Sequence, residues 1–194
     1  MKNTGLFCPD KTETTRLLRS LVRIPSVTGE EIDCANFLRK FFKQHGFKVE
    51  YDKVDGHRAN VLAYIPGEDE KKGLILNGHI DVVPPGNVGN WRHPPFEGVI
   101  HDGRLYGRGA SDMKGGVAAM IMAGVSVLES DVALKGDLRI QCVVDEERGS
   151  KAGTKRIIEK GWMKGSAAIV PEPSSLNIIT ACKGDIGLEI TVHG

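Results

Sequence analysis

The stretch Arg139–Ser150, RIQCVVDEERGS, constrains this chain more than any other. An alternating and then wholly apolar run, Ile140, Cys142, Val143 and Val144, passes directly into three acids, Asp145, Glu146 and Glu147. A buried strand that delivers adjacent carboxylates needs protons, cations or a metal to neutralise them, because unpaired charge at the edge of a core is costly. The same junction recurs. GLILNGHID ends a buried run on His79 and Asp81, and VPEPSS puts Glu172 between prolines after Ala167–Val170. The Gly-rich YGRGASDMKGG sets Asp112 at the head of the apolar stretch Met113–Leu128. In a sheet whose strands alternate with helices, ligands lie outside the carboxyl ends of the strands.

Patterning around these junctions supplies the alternation. Asp10 with Glu13 reads as a capping box for a helix to about Val22, stopped by Pro25. Thr28 with Glu31 reads as a second box, opening a helix with Ile32, Ala35, Leu38 and Phe42 on one stripe and Gly46 as its C-terminal cap. FKVEYDKV and ANVLAYI read as two strands joined through Asp55–Gly56. The segment 82–109 is rich in Pro and Gly with little periodicity, and a loop of that length is usually functional. Met113–Leu128 predicts a buried helix, Leu138–Val144 a strand, Lys151–Glu159 a helix and Ala167–Val170 a short strand. Two more strands are expected in NIITACKGDIGLEITVHG, with a turn at Lys183–Gly184–Asp185. The fold class that follows is α/β, a mixed, largely parallel sheet between helical layers.

Several functions are disfavoured. With 194 residues and a formal net charge of +1, lysines and arginines being spread along the chain, there is no nucleic-acid footprint. The apolar run Val117–Leu128 is short for a bilayer and the first residues lack a signal-peptide core, so no membrane partner is expected and the cytoplasm is the expected compartment. The four cysteines show no C-x-x-C spacing and read as free thiols. The glycines near Asp112 lack the third Gly of a dinucleotide loop, and Lys114 is followed by Gly rather than Ser or Thr. Ser111 stands outside any G-x-S-x-G elbow. Histidine and carboxylates at four strand-to-loop junctions point instead to a cation site of two metals, with Zn, Mn or Co as candidates. His79 and Asp81, two apart on a strand, share a face, so Asp81 can bond one ring nitrogen while the other faces a metal.

The ordered set GHIDVVPPG, Trp91 to Phe96 (W-x-x-x-P-F), DGRLYGRGASDMKGG, DEERGSKAGT and EPS resembles the metallopeptidase family of acetylornithine deacetylase, succinyl-diaminopimelate desuccinylase, aminoacylase and related carboxypeptidases. The match runs from about Ile65 to Ser174 and is most like the deacetylase and desuccinylase branch. The resemblance implies a zinc-exopeptidase-like fold with His79 and Glu172 on one divalent metal, Glu147 on the other and Asp112 bridging them. Asp81 would orient His79, Glu146 would be the general acid/base, and the bond between Asp112 and Met113 would be cis. The implied cofactors are two divalent ions, Zn with Co or Mn as alternatives. The implied activity is metal-dependent hydrolysis of the amide bond of a small N-acyl amino acid, the alternatives being a dipeptidase or carboxypeptidase acting on short peptides, or a metal-binding relative without catalysis. It further implies a catalytic domain over 1–182 and the first strand of a lid at 183–194, through which the full-length protein would form a homodimer. The site at Glu147 would then want one ligand from beyond residue 194.

Overall fold

The computed structural model describes residues 9–130, 132–181, 184 and 190–192. Helix α1 (Lys11–Arg23) starts where Asp10 accepts the Thr12 N–H at 2.8 Å, through Thr12 rather than Glu13, and buries Leu17, Leu21 and Val22. Helix α2 (Ile32–Gln44) buries Cys34, Ala35, Leu38 and Phe42, the predicted stripe. It ends at Gly46, whose φ of +85° suits a residue without a Cβ, and Phe47 folds back edge-on to Phe42 at 5.2 Å.

Strands β1 (Lys48–Lys53), β2 (Ala59–Ile65), β3 (Asp69–His79), β6 (Gly136–Val143) and β7 (Ala167–Ile169) form one sheet in the order β1-β2-β6-β3-β7. The β1–β2 and β2–β6 pairings are antiparallel, and β6–β3 and β3–β7 are parallel. Because β3, β6 and β7 run the same way, their carboxyl ends share one rim, with β3 in the middle.

Side-chain alternation sorts the strands onto two layers. Val61, Ala63, Ile140, Cys142 and Val144 join the main core with α1, α2 and helix α3 (Gly115–Glu129). Leu62 and Val143 point the other way, onto Ile157 of helix α4 (Thr154–Glu159) and Trp162. The stretch Ala110–Glu129 is long and apolar enough, by composition, to cross a membrane. Its packing explains that composition: Val117, Ala118, Met120, Ile121, Met122 and Val125 are buried in the core.

The structure departs from the sequence expectations in places. The long 82–109 segment contains a hairpin, β4 (Val99–His101) with β5 (Arg104–Tyr106), anchored to α1 where the Arg19 and Arg23 Nε atoms each donate at 3.0 Å to the carbonyls of Gly98 and Glu97. Residues 177–181 carry no strand, and most of the second predicted terminal strand, including the expected lid strand, lies outside the described residues. Cys34 and Cys142 are buried free thiols, as the spacing suggested; Cys8 and Cys182 lie outside the described residues. The Thr28–Glu31 capping box does not form. Glu31 itself is the N-cap residue of α2 with no side-chain cap bond, and its carboxylate is buried without a hydrogen-bond partner among the described residues. Burial pushes that carboxyl up. The Thr28 hydroxyl is engaged elsewhere.

Candidate metal centre

His79 is the last residue of β3, and only 2% of it is exposed. Its backbone N–H points to Met113 Sδ at 3.2 Å, which seats the strand end on the segment that precedes α3. The ring is held from one side and open on the other. Nδ1 lies 2.9 Å from the Asp81 carbonyl oxygen and 3.5 Å from its carboxylate. The expected Asp81–His79 pairing is therefore present, with the closest acceptor being the main chain of Asp81 and the carboxylate behind it. Nε2 faces the rim, 3.0 Å from Asp112 Oδ1, 3.8 Å from Glu172 Oε1 and 3.9 Å from Glu146 Oε2.

Each acid reaches the rim for a local reason. Asp112 lies in the irregular turn Ala110–Lys114, with φ −118° and ψ 106°, outside helical geometry, and its bond to Met113 is cis. It therefore does not cap α3, whose N-cap residue is Lys114. Lys114 is fully buried, and its ammonium donates to the Leu21 and Ile24 carbonyls at 2.8 and 2.9 Å, tying this turn to the end of α1. Glu172 follows β7. Its approach depends on Gly116, where a Cβ would overlap the Pro171 carbonyl oxygen.

Glu146 and Glu147 follow β6 on a turn opened by Asp145 at φ +65°. Asp145 supports this turn by hydrogen bonding. Its Oδ2 accepts from Ala152 N at 2.9 Å, its carbonyl accepts from Ser150 N at 2.6 Å, and Arg58 lies 3.6 Å from its other oxygen.

The turn is also gripped by a residue from another strand. The buried Asp81 carboxylate accepts the amides of Glu146 (3.1 Å) and Glu147 (3.2 Å) and the Thr28 hydroxyl (3.0 Å). Nothing in the sequence signalled this second duty of Asp81, since the residues involved are some 65 apart in the chain.

Electrostatics follow from the crowding. Burial works against a charged His79, but the hydrogen bond and charge of Asp81, with help from Glu172, outweigh it and lift the imidazole to about 9. Burial would raise Asp81, but His79, the Glu146 amide and Thr28 hold it below the usual carboxylate range. Burial and the neighbouring negative charge of Asp112 push Glu147 up. Glu172 is also raised, by burial and the surrounding acids against the pull of His79.

His79, Asp112 and Glu172 offer ligand atoms that all lie within 4.8 Å of one another. Glu147 is near enough to feel Asp112 but stands outside this tight group. Of the six residues singled out from sequence, the structure brings His79, Asp81, Asp112, Glu146 and Glu172 into direct proximity, with Glu147 beside them.

Known proteins resemble this chain in sequence and in fold. The chain is 35% identical over 183 residues to a probable succinyl-diaminopimelate desuccinylase from Staphylococcus aureus (strain Mu50 / ATCC 700699), covering 94% of this chain and 45% of that protein. It thus spans less than half the length of this relative. A solved M20 family metallo-carboxypeptidase from Sulfolobus solfataricus superposes with a TM-score of 0.72 at 30% identity, over 82% of this chain and 37% of the other. A dinuclear metal binding peptidase of the M20 family from Bacillus subtilis shares the fold with a TM-score of 0.60 at 21% identity, over 83% and 43% of the two chains. The pattern described as peptidase family M20/M25/M40 matches residues 75–192, from within β3 past Glu172, and the chain belongs to that family.

Proposed function

We propose that this chain carries the metal-holding part of a hydrolase that cleaves the amide bond of an N-acyl amino acid. His79, Asp112 and Glu172 would hold one divalent ion, and Asp112 would be shared with a second at Glu147. The observation that carries this reading is convergence: one imidazole and two carboxylates, from separate strand and helix junctions, offer donors within 4.8 Å of each other. The donor set fits, since imidazole and carboxylate are ordinary ligands of Zn, Mn and Co. Zinc is the ion proposed, with cobalt and manganese as alternatives.

When bound, such ions supply a Lewis acid for the amide carbonyl and make water acidic enough to attack near neutral pH. The chain does the rest. Asp81 fixes the His79 ring from behind, leaving Nε2 free. Glu146 has an exposed carboxylate 3.9 Å from His79 Nε2 and a backbone pinned on Asp81, so it can take the proton of the attacking water. As the new C–O bond forms and the C–N bond breaks, the same proton passes to the departing amine, giving a carboxylic acid and a free amine.

The name of the Staphylococcus relative supports an acyl group such as succinyl on the substrate amine. The Sulfolobus carboxypeptidase supports a second reading, hydrolysis of short peptides by the same residues. The proposal keeps 1–182 as catalytic domain and 183–194 as the start of a lid through which the longer protein dimerises. On this view the site at Glu147 is completed from outside the described residues, and the chain binds one ion more tightly than the second. Free buried Cys34 and Cys142 suit a reducing compartment, and the cytoplasm is the proposed location.

The test is hydrolysis of N-succinyl and N-acetyl amino acids and dipeptides by the longer protein with added Zn²⁺, Mn²⁺ or Co²⁺, beside its Glu146→Gln variant. The variant should lose about a thousandfold in kcat while retaining metal. Equal rates in both proteins, or no cleavage of any amide in the panel, would refute the reading.

A further inference from the structure

The segment Pro25–Glu31 does not cap a helix; it is laid against the strand end that carries the site. Val27 and Val82 form a parallel bridge, Val82 N donates to the Ser26 carbonyl at 2.9 Å, and Thr28 N donates to the Val82 carbonyl at 3.1 Å. The Ser26 hydroxyl reaches the Ile80 carbonyl at 2.6 Å. Ser26 is fully buried and Thr28 nearly so, which makes this a fixed platform on both sides of Asp81.

From it the Thr28 hydroxyl donates to Asp81 Oδ2 at 3.0 Å. That same oxygen accepts Glu147 N at 3.2 Å, while Oδ1 accepts Glu146 N at 3.1 Å and lies 3.5 Å from His79 Nδ1. A carboxylate turns readily about its last bond, because that torsion is broad. Of the other groups that address Asp81, two are backbone amides of the acid turn, and the third is the imidazole itself. Apart from that ring, Thr28 supplies the sole side-chain donor to Asp81 among the described residues.

We propose that Thr28 is a positioning residue: by fixing the plane of the Asp81 carboxylate it sets, at once, the His79 ring and the amides that aim Glu146 and Glu147. The role is indirect, since among the described residues Thr28 hydrogen-bonds to Asp81 and Val82 and to none of the proposed ligands. The consequence for metal rests on the metal-centre reading above; the consequence for the acid turn does not.

The test therefore has two readouts on the chain with Thr28→Val, which keeps the shape and removes the donor, and Thr28→Ser, which keeps the donor. Hydrogen exchange at the Glu146 and Glu147 amides, measured without metal, should be about tenfold faster in the valine variant and within twofold of wild type in the serine variant. Zn²⁺ affinity by competition titration should fall about tenfold for valine and recover with serine, in the range expected when a partner behind the ligands is lost. Unchanged exchange in the valine variant, or equal defects in valine and serine, overturns the proposal, the second outcome assigning the effect to packing. If wild type binds no Zn²⁺ while exchange responds as stated, the positioning role stands and the metal reading falls. If valine unfolds the chain, Thr28→Ala, which removes the donor without setting a methyl group against the carboxylate, is read in the same two assays.

Discussion

Asp81 has one carboxylate and four claimants. The His79 ring, the Thr28 hydroxyl and two backbone amides all address it, and it is completely buried. Asparagine at this position keeps the shape but replaces one acceptor oxygen with a donor facing N–H or O–H groups. Asp81→Asn should therefore weaken divalent-metal binding by about 10–100-fold, measured by titration, with the fold retained. Asp52, on the edge strand β1, shows the structural counterpart. Burial would raise its carboxyl, but Arg156, Lys160 and Asn60 close around it and bring it from the ordinary 3.8 down to about 2. A folded-state value below the unfolded one stabilises at pH above the unfolded value. Asp52→Asn should cost about 2 kcal/mol at neutral pH in urea unfolding, and that difference should vanish as pH falls from about 4 through 2. At this scale the sequence was legible for residue types and opaque for partners. The acids and His79 stood out because each borders an apolar run, whereas Thr28 looked like a helix cap because capping and carboxylate binding use the same hydroxyl.

Elements succeed or fail here through close approach. The site needs Glu172 against the head of α3, and Gly116 makes room by presenting no side chain to the Pro171 carbonyl. Gly116→Ala must displace one or the other. It should lower metal affinity by about tenfold, while alanine's better helix propensity limits the loss in thermal stability. Comparing titration with a melting curve checks both halves. Strand and helix positions were legible from periodicity, as the stripe Ala35, Leu38, Phe42 and the burial of Val117, Ile121 and Val125 in α3 attest. The hairpin β4–β5 was not, because strands of three residues are too short to display an alternation. Nor was the true start of α3. The apolar run begins at Met113, but the chain bends there to present Asp112 and settles into a helix only at Gly115.

In the molecule as a whole, the parallel group β6-β3-β7 brings donors separated by 93 residues, His79 to Glu172, onto one rim. An ion that binds only the folded rim must stabilise the entire chain. Zn²⁺ at about a hundred times its dissociation constant should raise the melting temperature by roughly 5–10 °C. His79→Ala should abolish that rise, and differential scanning calorimetry reads both. The mixed α/β architecture followed from alternating patterns, but strand order did not, because sequence gives periodicity and not neighbours. That β3 sits between β6 and β7 is a tertiary outcome.

One asymmetry of the rim has a corollary for ion choice. The imidazole is 1% exposed, whereas the side chains of Asp112 and Glu172 are 55 and 41% exposed. Such a socket would have a single rigid post and two compliant ones, and so could tighten or slacken around cations of unequal radius. On the hydrolytic reading proposed above, swapping one transition ion for another should alter the rate far more than whether the cation stays.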